Sequence, residues 1–237
     1  MIKQTRVFKK ITHSLLARGS TPDPDLIHKL RVNTRRLRAS FWVLDHDYKR
    51  CPESDSTLRE IKHLGRVLGE RRQFDVAFEI ANEYRVNANY LKSRWELAGQ
   101  NALKILSLNG QNITTRLENI CHTLNLTPPR VKNSHDHLKH KLKLWRSHAS
   151  YKKDDFHKLR IFVKKLNYIF EARNLEAHKK LKKFQDLLGN LHDLVVIEEL
   201  VKTTFSVKRD IKKYRYKILN TQDEVFKLLS KQLRHSS

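Results

Sequence analysis

The sequence predicts an all-α protein made of two similar halves. Three observations lead there. Only 6 Gly and 5 Pro occur in 237 residues, while Leu, Lys, Arg and Glu abound, a composition that favours helix. Apolar residues recur at helical spacing, and no stretch alternates with period two for long enough to make a sheet. A charged pattern also occurs twice, about half a chain length apart: IHKLRVNTRRLR over 27–38 and FHKLRIFVKKLN over 156–167. Recurrence at that distance points to an internal duplication.

Each element follows from its own signals. A first helix is expected from about Lys3 to Ala17, ended by Gly19-Ser20-Thr21-Pro22. Asp23 or Asp25 can cap the second, over residues 24–46, which holds the first motif copy. Cys51-Pro52 with Ser54, Asp55 and Ser56 makes the next break. Residues 56–86 and 88–107 read as helices, with Gly69 as a candidate bend. Asn109-Gly110 signals a turn, followed by a shorter helix over 111–124. Thr127-Pro128-Pro129 is the clearest linker. Helices are then expected at 131–148, 153–173, 176–204 and 207–234. The whole chain, 1–237, reads as one domain: a first repeat over 1–108, a connecting helix and linker over 109–129, and a second repeat over 130–237.

Charge narrows the partner. The formal net charge is +24. Such self-repulsion implies a polyanionic partner: nucleic acid, an anionic membrane surface or a phosphate polymer. The longest aliphatic run, Leu194–Ile197, is far too short to span a bilayer. The basic, amphipathic N-terminus reads as the first helix of the first repeat rather than a transit peptide. Cys51 and Cys121, in different halves, read as reduced thiols of a cytoplasmic protein.

On a helical wheel with His28 at zero, Arg31, Arg35 and Arg38 fall within about 80° on one side. They form a narrow basic stripe flanked by Lys29 and Arg36. Leu30, Thr34, Leu37, Phe41 and Leu44 gather on the opposite, packing face. The second copy repeats the wheel. His157, Arg160 and Lys164 make the stripe, Lys158 and Lys165 flank it, and Leu159, Val163, Leu166 and Phe170 face inward. Guanidinium groups then recur about every 5 Å along the axis, a spacing suited to successive phosphates. Like charges at i, i+4 each cost a few tenths of a kcal/mol, so a bound polyanion would relieve the stripe. Arg suits the task because its planar fork can grip two phosphate oxygens.

A weaker correspondence aligns LGRVLGERRQFDVAFE (64–79) with FQDLLGNLHDLVVIEE (184–199), pairing Gly69 with Gly189 and Arg72 with His192. Arg66, Arg71 and Arg72 are candidates to extend the first basic surface, and Lys182 and Lys183 the second. Asp186 and Asp193 read as acids that orient Arg side chains.

These features resemble the CHAD family. Its hallmark HxLRxxxRRLR helix is matched by His28-Lys29-Leu30-Arg31 with Arg35-Arg36-Leu37-Arg38, and again by His157-Lys158-Leu159-Arg160 with Lys164-Lys165-Leu166. A later L-G-x-x-x-D helix is met by Leu188-Gly189 through Asp193; in the first copy Gln73 stands where the acid is expected, with Asp75 nearby. The resemblance implies two four-helix bundles related by a pseudo-twofold axis, with a basic central groove or pore. It further implies non-catalytic binding of inorganic polyphosphate and placement on polyphosphate granules in the cytoplasm. Lys164-Lys165 in place of Arg-Arg, and Asn167 in place of Arg, imply a second wall with less bidentate geometry.

Rival chemistries find little support. The chain has 13 His, with His135, His137 and His140 close together. It lacks Cys-x-x-Cys and any Glu set at ligand spacing, and cations surround the motif histidines. No metal or cofactor is therefore expected. No Walker loop and no acidic pair for two magnesium ions is present, and no E-x-E-x-K strand of a triphosphate-tunnel domain, so no enzyme is expected. Nucleic acid is the alternative partner, bound non-specifically through backbone phosphates. Trp42, Trp95 and Trp145 occupy apolar helix positions and read as core rather than base-stacking platforms.

Overall fold

The structure, a computed structural model, describes residues 1–19, 22–47, 53–85, 87–125, 136–140, 142–143, 153–172, 179–201 and 205–235. Among them are eight helices and no strand. Helix α1 spans Ile2–Ala17, α2 Pro24–Asp47 and α3 Ser54–Glu83. A 3₁₀ turn at Asn89–Leu91 leads into α4, Lys92–Asn125. Helical residues at 136–140 and 142–143 are termed α5. Then come α6, Lys153–Ala172; α7, Lys179–Val201; and α8, Phe205–His235.

The junction between α1 and α2 illustrates the local logic. Gly19 takes a left-handed backbone, φ 78°, which glycine adopts without a Cβ penalty. Asp23 then caps α2: its Oδ1 accepts from the N–H groups of Asp25 at 2.8 Å and Leu26 at 3.3 Å. Pro24 occupies the first helical position, where a missing N–H costs nothing. Arg18 pairs with the other oxygen of Asp23. The Leu26 N–H, with the Asp25 N–H and the Arg18 charge, holds the Asp23 carboxyl below its ordinary pKa.

The chain falls into two compact units, Met1–Pro128 and Pro129–Ser237. In the first, α1 packs on α2 and α4, and α3 packs on α2 and α4, which closes a four-helix ring. Its core holds Phe8, Ile11 and Leu15 of α1 and Ile27, Leu30, Leu37 and Phe41 of α2. Ile61, Leu64 and Leu68 of α3 meet Ala102, Leu106, Ile113, Leu117 and Ile120 of α4. Burying one such large side chain contributes roughly 1.5–3 kcal/mol. A like-charge pair on a helix costs only a few tenths, so the apolar face of α2 outweighs the crowding on its basic face. In the second unit α7 packs against both α6 and α8. Leu159, Val163, Leu166, Ile169 and Phe170 of α6 are buried there, with Leu181, Phe184, Leu188 and Leu191 of α7.

One expected break is absent, and Gly69, a candidate bend, lies within an unbroken helix. Asn109-Gly110 is not a turn: α4 runs through it, and the separate helix expected over 111–124 is the C-terminal half of α4. Gly110 serves close packing instead. A Cβ there would come within 2.8 Å of the Thr12 methyl on α1. Gly69 makes no break either, since α3 continues from Ser54 to Glu83. The segment expected to be helical over 131–148 is described only at 136–140 and 142–143, where it is helical; the Thr127-Pro128-Pro129 linker, Cys51, His135 and Trp145 lie outside the described residues. No described helix is long and apolar enough to cross a membrane.

Candidate functional site

The first motif copy sits on α2 with the predicted polarity. Leu30, Leu37, Phe41 and Thr34 are buried. His28, Lys29 and Arg38 are exposed, and Arg31, Arg35 and Arg36 are half-buried. Two of these arginines, Arg31 and Arg38, lie against α3, and glycine explains how. A Cβ on Gly69 would stand 3.7 Å from Nε of Arg31, and one on Gly65 would stand 3.8 Å from Nη1 of Arg38. Side-chain-free turns of α3 thus make room for two guanidinium groups of α2. Gly65 also admits the Thr34 hydroxyl, 3.3 Å from the same hypothetical Cβ. The Gly65 role was not legible beforehand, whereas a glycine at 69 inside a helix already pointed to close approach by a neighbouring helix. The signal was the spacing Gly65-x-x-x-Gly69, which places both on one helical face.

Helix α3 adds its own cations. Arg66 is exposed and Arg72 is half-buried. Arg72 is close enough to act on His28. Desolvation comes first, then the charges of Arg72, Arg31 and Arg35, and together they lower the His28 pKa below its ordinary value. The Arg38 pKa is lowered too, first by desolvation and then by Arg35; an arginine nonetheless keeps its charge near neutral pH. These shifts record a local positive potential built from two helices.

Arg71 departs from the expectation. It is 1% exposed and belongs to the interior of the first unit. Its Nε donates to Asp75 Oδ1 at 3.0 Å, and its Nη1 donates to the Trp95 carbonyl at 3.2 Å. Its guanidinium carbon lies 3.7 Å from the Trp95 ring centroid. Trp95 Nε1 donates to the same Asp75 oxygen at 2.8 Å, and Phe78 meets the Trp95 ring edge-on. This buried ion pair joins α3 to α4 and is no part of the basic surface. The clue was present in the spacing: Leu64, Leu68, Arg71 and Asp75 continue one i, i+3/i+4 row, the core face of α3.

In the second unit, α6 exposes His157, Lys158 and Lys165, with Lys164 half-buried. Arg160 is only 9% exposed, which places it beneath the stripe rather than on it, unlike its counterpart Arg31. Lys182 and Lys183 of α7 are exposed. His157 lies against His192 of α7, with ring centroids 5.5 Å apart and planes inclined at 49°. The first-unit positions aligned with that pair are His28 and Arg72. The second-unit pair is a ring contact, whereas in the first unit the Arg72 charge acts on His28.

Among the described residues no group of three or more His, Cys, Asp or Glu is placed to hold a metal ion. Cys121 is a buried free thiol, its Sγ 3.5 Å from Thr5 Oγ1. Trp42 and Trp95 are both half-buried.

Eight helices among the described residues, with basic stripes on α2 and α6 above leucine-rich faces, define the class: an all-helical, strongly cationic protein. The CHAD domain family model matches residues 6–202. The fold is similar to that in the crystal structure of the CHAD domain from the plant Ricinus communis, with a TM-score of 0.59 and 22% identity, covering 98% of this chain and 88% of that one. No curated protein matches. The chain belongs to the CHAD domain family.

Proposed function

We propose that this CHAD domain binds inorganic polyphosphate without catalysis, and that its two units are copies of one ancestral half. One contact set is His28, Lys29, Arg31, Arg35, Arg36 and Arg38 with Arg66 and Arg72. The other is His157, Lys158, Lys164 and Lys165 with Lys182 and Lys183, braced by Arg160. One flexible polymer engages both sets, which places the protein on polyphosphate granules. The carrying observation is the seating of Arg31 and Arg38 of α2 against the glycines of α3, beside His28, whose pKa is lowered by desolvation and then by Arg72, Arg31 and Arg35. Such a row suits a string of linked phosphates. It has no need of base stacking, and the Trp95 ring is already occupied by Arg71.

The test is a parallel titration with long-chain polyphosphate, RNA and duplex DNA at two salt concentrations. Polyphosphate should bind tightest at equal phosphate concentration and displace bound DNA. Its affinity should grow with chain length and fall steeply with salt through counterion release. The reverse ranking would assign the surface to nucleic acid.

A further inference from the structure

The two neighbouring arginines of α3 hold different acids in different ways. Arg71 grips Asp75 one turn on, with both side chains almost wholly buried. Arg72 reaches two turns on to Glu79. Its Nη1 donates to Oε1 at 2.7 Å and its Nη2 to Oε2 at 3.1 Å. The Glu79 side chain is 59% exposed, so solvent competes with Arg72 for it. Glu79 also acts on His28, pushing its pKa up against Arg72, Arg31 and Arg35. A carboxylate thus stands among the cations proposed to hold phosphate, and it fills the fork of one of them.

We propose that Glu79 is an internal stand-in for phosphate: it occupies Arg72 in the free protein and swings out when polyphosphate arrives. This rests on the polyphosphate reading above. The exchange is physically favourable. The Arg72 side chain is 17% exposed and that of Glu79 59%, so water competes for the carboxylate and keeps the pair weak. A fork gripping phosphate oxygens next to further cations makes shorter, charge-assisted bonds. Until it leaves, the carboxylate keeps Arg72 extended along α3 and lowers the local positive potential. Weak or singly charged anions therefore meet a partly neutralised surface, while a polymer that engages several cations at once can expel Glu79.

The test compares long-chain sodium polyphosphate binding by the wild-type chain, Glu79→Gln, Arg72→Gln and the double variant at low salt. Glu118→Gln is the control: Glu118 also forms an exposed ion pair, 3.0 Å from Lys9, but joins α4 to α1. Glu79→Gln should bind about twofold to fivefold tighter, the range an exposed pair can supply, and Glu118→Gln should change affinity by much less, since screening confines its effect. In the Arg72→Gln background the Glu79→Gln gain should vanish. If wild-type protein binds polyphosphate but Glu79→Gln behaves as Glu118→Gln does, or tightens equally without Arg72, the stand-in role is refuted alone. Failure of the wild-type chain to bind polyphosphate would remove both this role and the reading beneath it.

Discussion

Replacing Gly99 with alanine should destabilise the protein, against the usual direction for a helix interior. Alanine in a helix is ordinarily favoured over glycine by about 1 kcal/mol. At Gly99 of α4 the added Cβ would fall 2.2 Å from Nη1 of Arg71, 3.4 Å from its Cζ and 3.0 Å from Cγ of Pro22. A flexible arginine tip would normally move aside. This one is held by Asp75, by the Trp95 carbonyl and by the Trp95 ring. Moving it strains a buried pair whose outright rupture costs about 3–5 kcal/mol, while overpacking alone costs about 1–3 kcal/mol. With the propensity gain deducted, the expected net loss is about 1–3 kcal/mol, a fall of several degrees in melting temperature. Gly189→Ala is the matched comparison. It lies inside α7 with nothing within 4 Å of its hypothetical Cβ, so it should stabilise by up to about 1 kcal/mol. Thermal unfolding followed by circular dichroism reads both. A Gly99→Ala protein that melts at or above the wild-type temperature would refute the account of Arg71 as a pinned residue.

The other predictions concern the basic surface and its support. Arg31→Glu with Arg35→Glu should abolish long-chain polyphosphate binding while helicity is retained; affinity within twofold of wild type, roughly 0.4 kcal/mol, would place the site elsewhere. Arg71→Gln should cost about 3–5 kcal/mol, because it leaves the Asp75 carboxylate buried without its cation. Arg72→Gln should cost under about 1 kcal/mol, since its pair is at the surface; denaturant unfolding that ranks them the other way would reverse the two roles. His28 is held below its ordinary pKa in the free protein, and a bound polyanion should raise it. Binding should therefore take up protons, and affinity should rise as pH falls through the bound value toward the free one. Calorimetry in buffers of different ionisation enthalpy measures that uptake, and His28→Gln should reduce it. In the free protein the same lowered pKa means the unfolded chain binds more protons near and below its ordinary value of about 6.5. The His28 contribution to stability is thus intact above that pH and lost as pH falls below it.

What the sequence by itself determined was local. The 3.6-residue rhythm set the packing faces of α2 and α6, and Leu30, Leu37 and Phe41, like Leu159, Val163, Leu166 and Phe170, are buried as their spacing requires. An aspartate at 23 or 25 marked the start of α2, because a cap needs only its own neighbouring N–H groups, and Asp23 takes that place. The doubled His-Lys-Leu-Arg pattern pointed to the family for a similar reason: a motif is written in contiguous residues. The tertiary structure decided everything that depends on which other helix lies alongside. Arg71 and Arg72 are adjacent and chemically identical, yet one helical step of about 100° sends the first into the interior against Trp95 and leaves the second at the surface with Glu79. Asn109-Gly110 carried a strong turn signal, but Thr12 on α1 sits where a side chain would project, so the glycine is spent on close approach and α4 runs on. A residue's burial and ion-pair partner belong to the space between elements, and that space is defined only once the helices have packed.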